Sequence, residues 1–231
     1  MLQLRAITQP LPLAKMAYKA LRDSILSGHL VPGEIYNEMA IAKELGISRT
    51  PVREALLELS TQGLITFLPR KGVMVSHHKR QDVEEIFELR KAIELAAIEK
   101  AAKASPPRDL AKCEKALANQ RKIIKKKDFL AFLQADRMFH TTFSEMTNNR
   151  RLVDILENLR DIIHLMGAEA LGRAGRWPEV IVEHEKVLEA VRQGKPMKAR
   201  EAMDYHLDRS KEAVLKRTRF EAEERKGSPS F

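Results

Sequence analysis

The 231-residue chain contains no apolar run of the roughly 18 residues that a membrane-spanning helix needs. Its first residues also lack the apolar centre and small-residue cleavage site of a signal peptide, so a cytoplasmic protein is expected. The single cysteine, Cys113, excludes an internal disulfide, and its position in a helical pattern is that of a small buried residue with no mark of reactivity. Neither a Gly-x-Ser-x-Gly nucleophile motif nor a Gly-x-x-x-x-Gly-Lys phosphate loop occurs.

What the chain does have is enough apolar material, 44% of residues, to bury two modest cores more comfortably than one. The formal charge of +9 favours polyanionic partners, although basic surfaces also serve solubility. Residues 1–76 hold nine Lys or Arg against six Asp or Glu, a net of only +3, so placement matters more than the sum.

From Leu13 the residues Ala17, Ala20, Leu21 and Ile25 recur at helical spacing, and Gly28 follows where a helix end favours a left-handed residue. Pro32-Gly33 predicts a turn. Asn37 can cap a short helix to about Leu45, and Gly46-Ile47 breaks it. Ser48 is placed to cap a third helix, with Pro51 in its first turn. Val52, Ala55, Leu56 and Leu59 form that helix's buried stripe, which sends Arg49 and Arg53 outward together near its N-terminus. A DNA-recognition helix needs this geometry, because Arg can donate two bonds to guanine in the major groove; Thr50 and nearby backbone N–H groups could hold phosphates. The alternation in residues 64–68 and 73–75 predicts two short strands joined at Pro69-Arg70-Lys71-Gly72, a hairpin with a basic tip. The competing reading of Arg49 and Arg53 is a solvated basic face.

The run Pro32-Gly33, Leu45-Gly46-Ile47-Ser48-Arg49-Thr50-Pro51-Val52-Arg53-Glu54-Ala55-Leu56, Gly63-Leu64-Ile65 and Arg70-Lys71-Gly72-Val73 resembles the winged helix-turn-helix of the GntR family. The resemblance implies that Arg49 and Arg53, with Ser48 and Thr50 beside them, meet bases or phosphates. It also implies that Arg70, Lys71 and Gly72 bring the wing to the minor groove. Tyr36-Asn37 departs from the Leu-Ser of many members, which leaves contacts from the start of the second helix open.

After a polar joint at residues 77–81 the pattern is helical throughout: Asp82–Ala104, Asp109–Lys125, Phe129–Met146, Leu152–Leu171, Glu179–Gln193 and Met197–Arg217. Short connections, such as Pro106-Pro107 and Asn148-Asn149, predict an antiparallel all-α domain over residues 82–219, and the charged tail 220–231 is expected to be disordered. The expected fold is therefore mainly α, a winged helix-turn-helix of three helices and a β-hairpin followed by a bundle of about six helices.

Polar residues on stripes that should be buried are the informative ones, since they cost free energy unless satisfied. Asp136 and His140 interrupt the stripe Phe129, Phe132, Leu133, Phe139, Phe143, Met146, one turn apart. His184 interrupts Ile181, Val187, Leu188, Val191; His206 interrupts Ala199, Ala202, Met203, Ala213, Val214. His29, His77, His78 and His164 fall off such stripes. One inward histidine is ordinarily a hydrogen-bonded core residue, but an Asp and three His together make a suitable donor set for a divalent metal, with Zn²⁺ first and Ni²⁺ or Mn²⁺ open. Arg90 shares the stripe of Val83, Ile86, Phe87, Ile93 and Ala97; it either pairs with Glu94 or Asp136, or forks an effector carboxylate.

Phe87-Glu88-Leu89-Arg90, Asp136-Arg137-Met138-Phe139-His140, residues 184–190 and Met203-Asp204-Tyr205-His206 resemble the FCD effector-binding domain of FadR-like GntR regulators. The resemblance implies a metal on Asp136, His140, His184 and His206, an organic acid beside it, and a homodimeric repressor of operator DNA. A metal-dependent hydrolase is the competing class, but no inward acid/base residue serves it as a proton shuttle; a purely structural metal also stays open.

Overall fold

A computed structural model describes residues 11–104, 109–126, 128–171 and 176–217, so the expected disordered tail and the break at Pro106-Pro107 lie outside the described residues. The first elements are α1 (Leu13–Leu26), β1 (Ile35–Tyr36), α2 (Glu38–Leu45), α3 (Arg49–Thr61), β2 (Ile65–Leu68) and β3 (Gly72–Val75). They are followed by α4 (Arg80–Ala102), α5 (Ala111–Lys126), α6 (Phe129–Glu145), α7 (Arg150–Leu171), α8 (Trp177–Arg192) and α9 (Pro196–Arg217). The described residues divide between His77 and His78 into two compact units.

In the first unit the apolar face of α1, Ala17, Leu21 and Ile25, packs against Val52, Ala55, Leu56 and Leu59 of α3, all buried. Asn37 caps α2 by accepting from the N–H groups of Met39 (2.8 Å) and Ala40 (3.4 Å), and Gly46 ends it at φ 65°. Ser48 occupies the N-cap position of α3 with extended backbone, but its side chain makes no capping hydrogen bond, contrary to the sequence expectation. The hairpin is present with Phe67 opposite Val73, and β1 adds a third antiparallel strand on the other side of β3, giving the order β1-β3-β2. Two residues are too few to carry a readable alternation, so β1 is invisible to a pattern search. Gly72 explains why it fits: at φ +123°, a Cβ there would sit 2.3 Å from the Tyr36 carbonyl oxygen.

The second unit is all helical among its described residues. Its core gathers Ile98 of α4, Cys113 of α5, Phe139 and Phe143 of α6, Val187 of α8 and Leu207 of α9. Burial pushes the Cys113 thiol up to about 12, which makes it the inert core residue its pattern implied. No helix among the described residues is long and apolar enough to cross a membrane.

Candidate functional site

Helices α6, α8 and α9 bring four side chains to one point inside the second unit. Asp136 and His140 lie one turn apart on α6, and with His184 of α8 and His206 of α9 they offer one ligand atom each, all within 4.8 Å of one another. The imidazole centroids are 4.6 to 5.1 Å apart, and all three rings are buried. Asp136 Oδ1 stands 3.6 Å from His184 Nε2 and 4.0 Å from His140 Nε2. Phe139 stacks on His184 at 4.0 Å, which fixes that ring's plane.

Each histidine is held from behind. His206 Nδ1 is 2.8 Å from Glu183 Oε2, His184 Nδ1 is 2.9 Å from Gln120 Oε1, and His140 Nδ1 meets Glu94 Oε2. These three acceptors take an Nδ1–H, so the Nε2 lone pair is left for the cluster. The Nε2 atoms of His140 and His184 are buried and find no hydrogen-bond partner among the described residues. Burial lowers His140 to about 4, helped by the Arg160 charge, and burial beside His206 takes His184 well below its usual value. These two rings are therefore neutral, the form that binds a cation. Buried nitrogen donors without partners and a nearby carboxylate fit a divalent ion.

Arg90 is fully buried, its guanidinium 5.0 Å from the Phe87 ring centre. Its Nε donates to Glu94 Oε1 at 2.7 Å, so the ion pair foreseen as one alternative exists, yet its Nη2 has no partner among the described residues. Burial alone raises the Glu94 carboxyl, but Arg90, His140 and Arg160 together hold it well below the usual carboxylate range. Arg160 of α7 donates from Nη1 to Asp136 Oδ2 at 2.8 Å, while its Nε and Nη2 are buried without partners among the described residues. Burial likewise works to raise Asp136, and the adjacent Arg160 charge holds it far below its usual value. A cavity of about 60 Å³ borders this group, and Arg90, Arg160, Asp136 and His206 are among the residues that line it. Apolar side chains form much of its remaining wall, including Trp177, which stacks on Phe132 at 4.9 Å.

Glu94 as a support for His140, and Gln120, Glu183 and Arg160 altogether, escaped sequence reasoning. The signal was available: Gln120 continues the buried stripe Cys113, Ala116, Leu117 of α5, and Glu183 lies between Val180 and Val187 on α8. Buried glutamates and glutamines beside inward histidines are the pattern to look for.

In the first unit Arg49 and Arg53 leave the start of α3 with side chains 60% and 59% exposed, and Ser48 and Thr50 are exposed beside them. Arg70, at φ 64°, and Lys71 are exposed at the β2–β3 tip. A groove of about 440 Å³ lies between, bordered by Arg49, Arg53, Arg70, Lys71 and Gly72. Glu38, the first residue of α2, sits in it with its carboxylate 3.4 Å from Arg53 Nη1 and 4.0 Å from Arg49 Nη2. The sequence had not singled it out.

An arginine-bearing helix beside a basic wing is a DNA-reading arrangement, and comparison with known proteins decides the family. Residues 13–75 match the bacterial regulatory proteins of the gntR family, and residues 85–209 match the FCD domain. The chain belongs to the GntR family. This GntR-family chain is 29% identical over 202 residues to the HTH-type transcriptional regulator YdhC of Bacillus subtilis, covering 87% of itself and 88% of the relative. It is 28% identical over 177 residues to the gluconate operon transcriptional repressor of Bacillus licheniformis, covering 74% of itself and 72% of the relative. A GntR transcriptional regulator from Rhodococcus sp. RHA1 shares the fold, with a TM-score of 0.79 over 88% of this chain and 97% of that one, at 22% identity. As a GntR regulator with an FCD domain, the protein is a DNA-binding transcriptional regulator.

Proposed function

We propose that the protein is a homodimeric repressor, working in the cytoplasm, whose operator affinity is set by a small organic acid bound beside a divalent metal ion. The observation that carries the reading is a set of three buried histidines and half-buried Asp136, next to a cavity lined by Arg90 and Arg160; among the described residues two of the Nε2 atoms and three of the guanidinium nitrogens find no partner. Asp136, His140, His184 and His206 would hold the ion, with Zn²⁺ first because three imidazoles and one oxygen suit it. When bound, it supplies a Lewis-acidic anchor for a carboxylate oxygen.

The chain's own groups do the rest. Glu94, Gln120 and Glu183 orient the imidazoles; Arg160 keeps Asp136 ionised; Arg90 Nη2 offers N–H donors to the acid. Arg49 and Arg53 read base edges, Ser48 and Thr50 hold phosphates, and Arg70, Lys71 and Gly72 carry the wing. One short helix reads few base pairs, so a two-fold dimer on a pseudo-palindrome is the natural assembly. An acid that weakens operator binding must bind the operator complex more weakly by the same factor, about 1–3 kcal/mol in typical systems.

Elemental analysis of dialysed protein tests the metal set: His140→Ala and His184→Ala should lose the ion, and His164→Ala should retain it. Full occupancy in either of the first two would sink the assignment. The single tryptophan, Trp177, lines the cavity, so its emission should report acid binding. Site selection from random DNA, followed by Arg53→Ala on the selected operator, tests the reading helix; a loss of about 1–3 kcal/mol is expected per base contact removed.

A further inference from the structure

Resting on the reading of Arg49 and Arg53 as base-reading residues, we infer that Met39 is a further specificity-determining residue, which recognises a thymine beside their target through its 5-methyl group. Met39 is 60% exposed in the first turn of α2. A lone exposed apolar side chain is ordinary on a protein surface and asks for no explanation. The position of this one is what matters. Among the described residues, Met39 and Leu57 are the exposed large apolar side chains that border the groove between α3 and the wing, together with Arg49, Arg53, Arg70 and Lys71.

Its neighbours in the sequence fix where it stands. The Glu38 carboxylate lies 3.4 Å from Arg53 Nη1 and 4.0 Å from Arg49 Nη2, which ties the start of α2 to the arginine pair. Asn37 Oδ1 is engaged in the cap, accepting from the Met39 and Ala40 N–H groups. The Met39 side chain carries no hydrogen-bond donor, so it cannot hold a phosphate. Against the DNA backbone it would displace water from charged oxygens and offer nothing in return. The apolar feature that base edges present in the major groove is the thymine 5-methyl. An unbranched thioether chain with three rotatable bonds can lie against that methyl while the guanidiniums beside it take guanine O6 and N7. Leu57 lies about 12 Å along the α3 axis from Arg49, at about 1.5 Å per residue. Reading helices meet base edges with their N-terminal residues, so Met39 and not Leu57 is placed for the contact.

The test starts from an operator that the full-length protein selects from random DNA. Each thymine of a half-site is replaced in turn by uracil, which removes the 5-methyl and keeps every hydrogen-bonding group of the base. With wild type, one replacement beside a guanine should weaken binding about fourfold, the worth of one buried methyl-sized group. With Met39→Ala the unmodified operator should bind more weakly, and the same replacement should no longer matter. The wild-type penalty should be equal at low and high salt, because a methyl contact releases no counterions. Met16→Ala, exposed on α1 outside the groove, is the control and should keep the penalty. A wild type indifferent to every uracil, or a penalty that persists unchanged in Met39→Ala, overturns the inference; weakened binding by Arg53→Ala would then leave the reading helix standing. If Arg53→Ala binds the selected operator normally, the reading-helix assignment fails and the inference with it.

Discussion

Glu94 offers the sharpest perturbation of the second unit. It is buried, and its two oxygens face two donors, Arg90 Nε at 2.7 Å and His140 Nδ1. In Glu94→Gln the shape is kept, but one of the two donors must face an NH₂, and the buried Arg90 loses its counter-charge. Removing one member of a buried ion pair costs about 3–5 kcal/mol, which corresponds to a fall in melting temperature on the order of 10 °C in a chain of this size. The same change releases the His140 ring, and losing such a support lowers metal affinity about 10- to 100-fold. Thermal unfolding of chelator-treated protein measures the first effect, and competition with a chromogenic chelator the second. Glu88→Gln, exposed on the same helix, is the control and should change neither. If Glu94→Gln costs less than about 1 kcal/mol and leaves metal affinity unchanged, the coupling of Arg90, Glu94 and His140 is not what orders this site.

Three other outcomes are expected. Glu38→Gln removes the negative charge beside Arg49 and Arg53, so it should raise affinity for non-operator DNA and reduce the ratio of specific to non-specific binding; an unchanged ratio in competition assays would show that the carboxylate has no part in DNA discrimination. Gly72→Ala must move either the wing or β1, because its Cβ would lie 2.3 Å from a backbone oxygen at φ +123°, and a loss of about 2 kcal/mol or more by urea unfolding is expected. His140 lies at about 4 when folded, below its ordinary 6.5, so the unfolded chain binds more protons between those values and stability falls as pH drops through that window. For the chelator-treated protein this amounts to about 2 kcal/mol between pH 7.5 and 5, and a flat urea midpoint over that range would show that His140 does not titrate as its burial dictates.

The sequence by itself determined the helices and some of the inward-facing polar residues. Helix ends fell within about two residues of their expected positions, because period 3.6 and local caps such as Asn37 are properties of a few neighbouring residues. The same periodicity put Asp136, His140, His184, His206 and Arg90 on inner faces, since burial on a helix is a matter of phase. Only tertiary structure decided what those faces meet. Arg90 could turn to Glu94 or Asp136 with equal sense on paper; the fold gives it Glu94, and gives Asp136 to Arg160 of α7. That Gln120, 64 residues before His184, holds its ring, and that β1 closes on Gly72, are long-range pairings set by how helices and strands pack. Periodicity tells which side of an element is buried, but a partner's identity depends on the relative placement of two elements, which only the assembled core fixes.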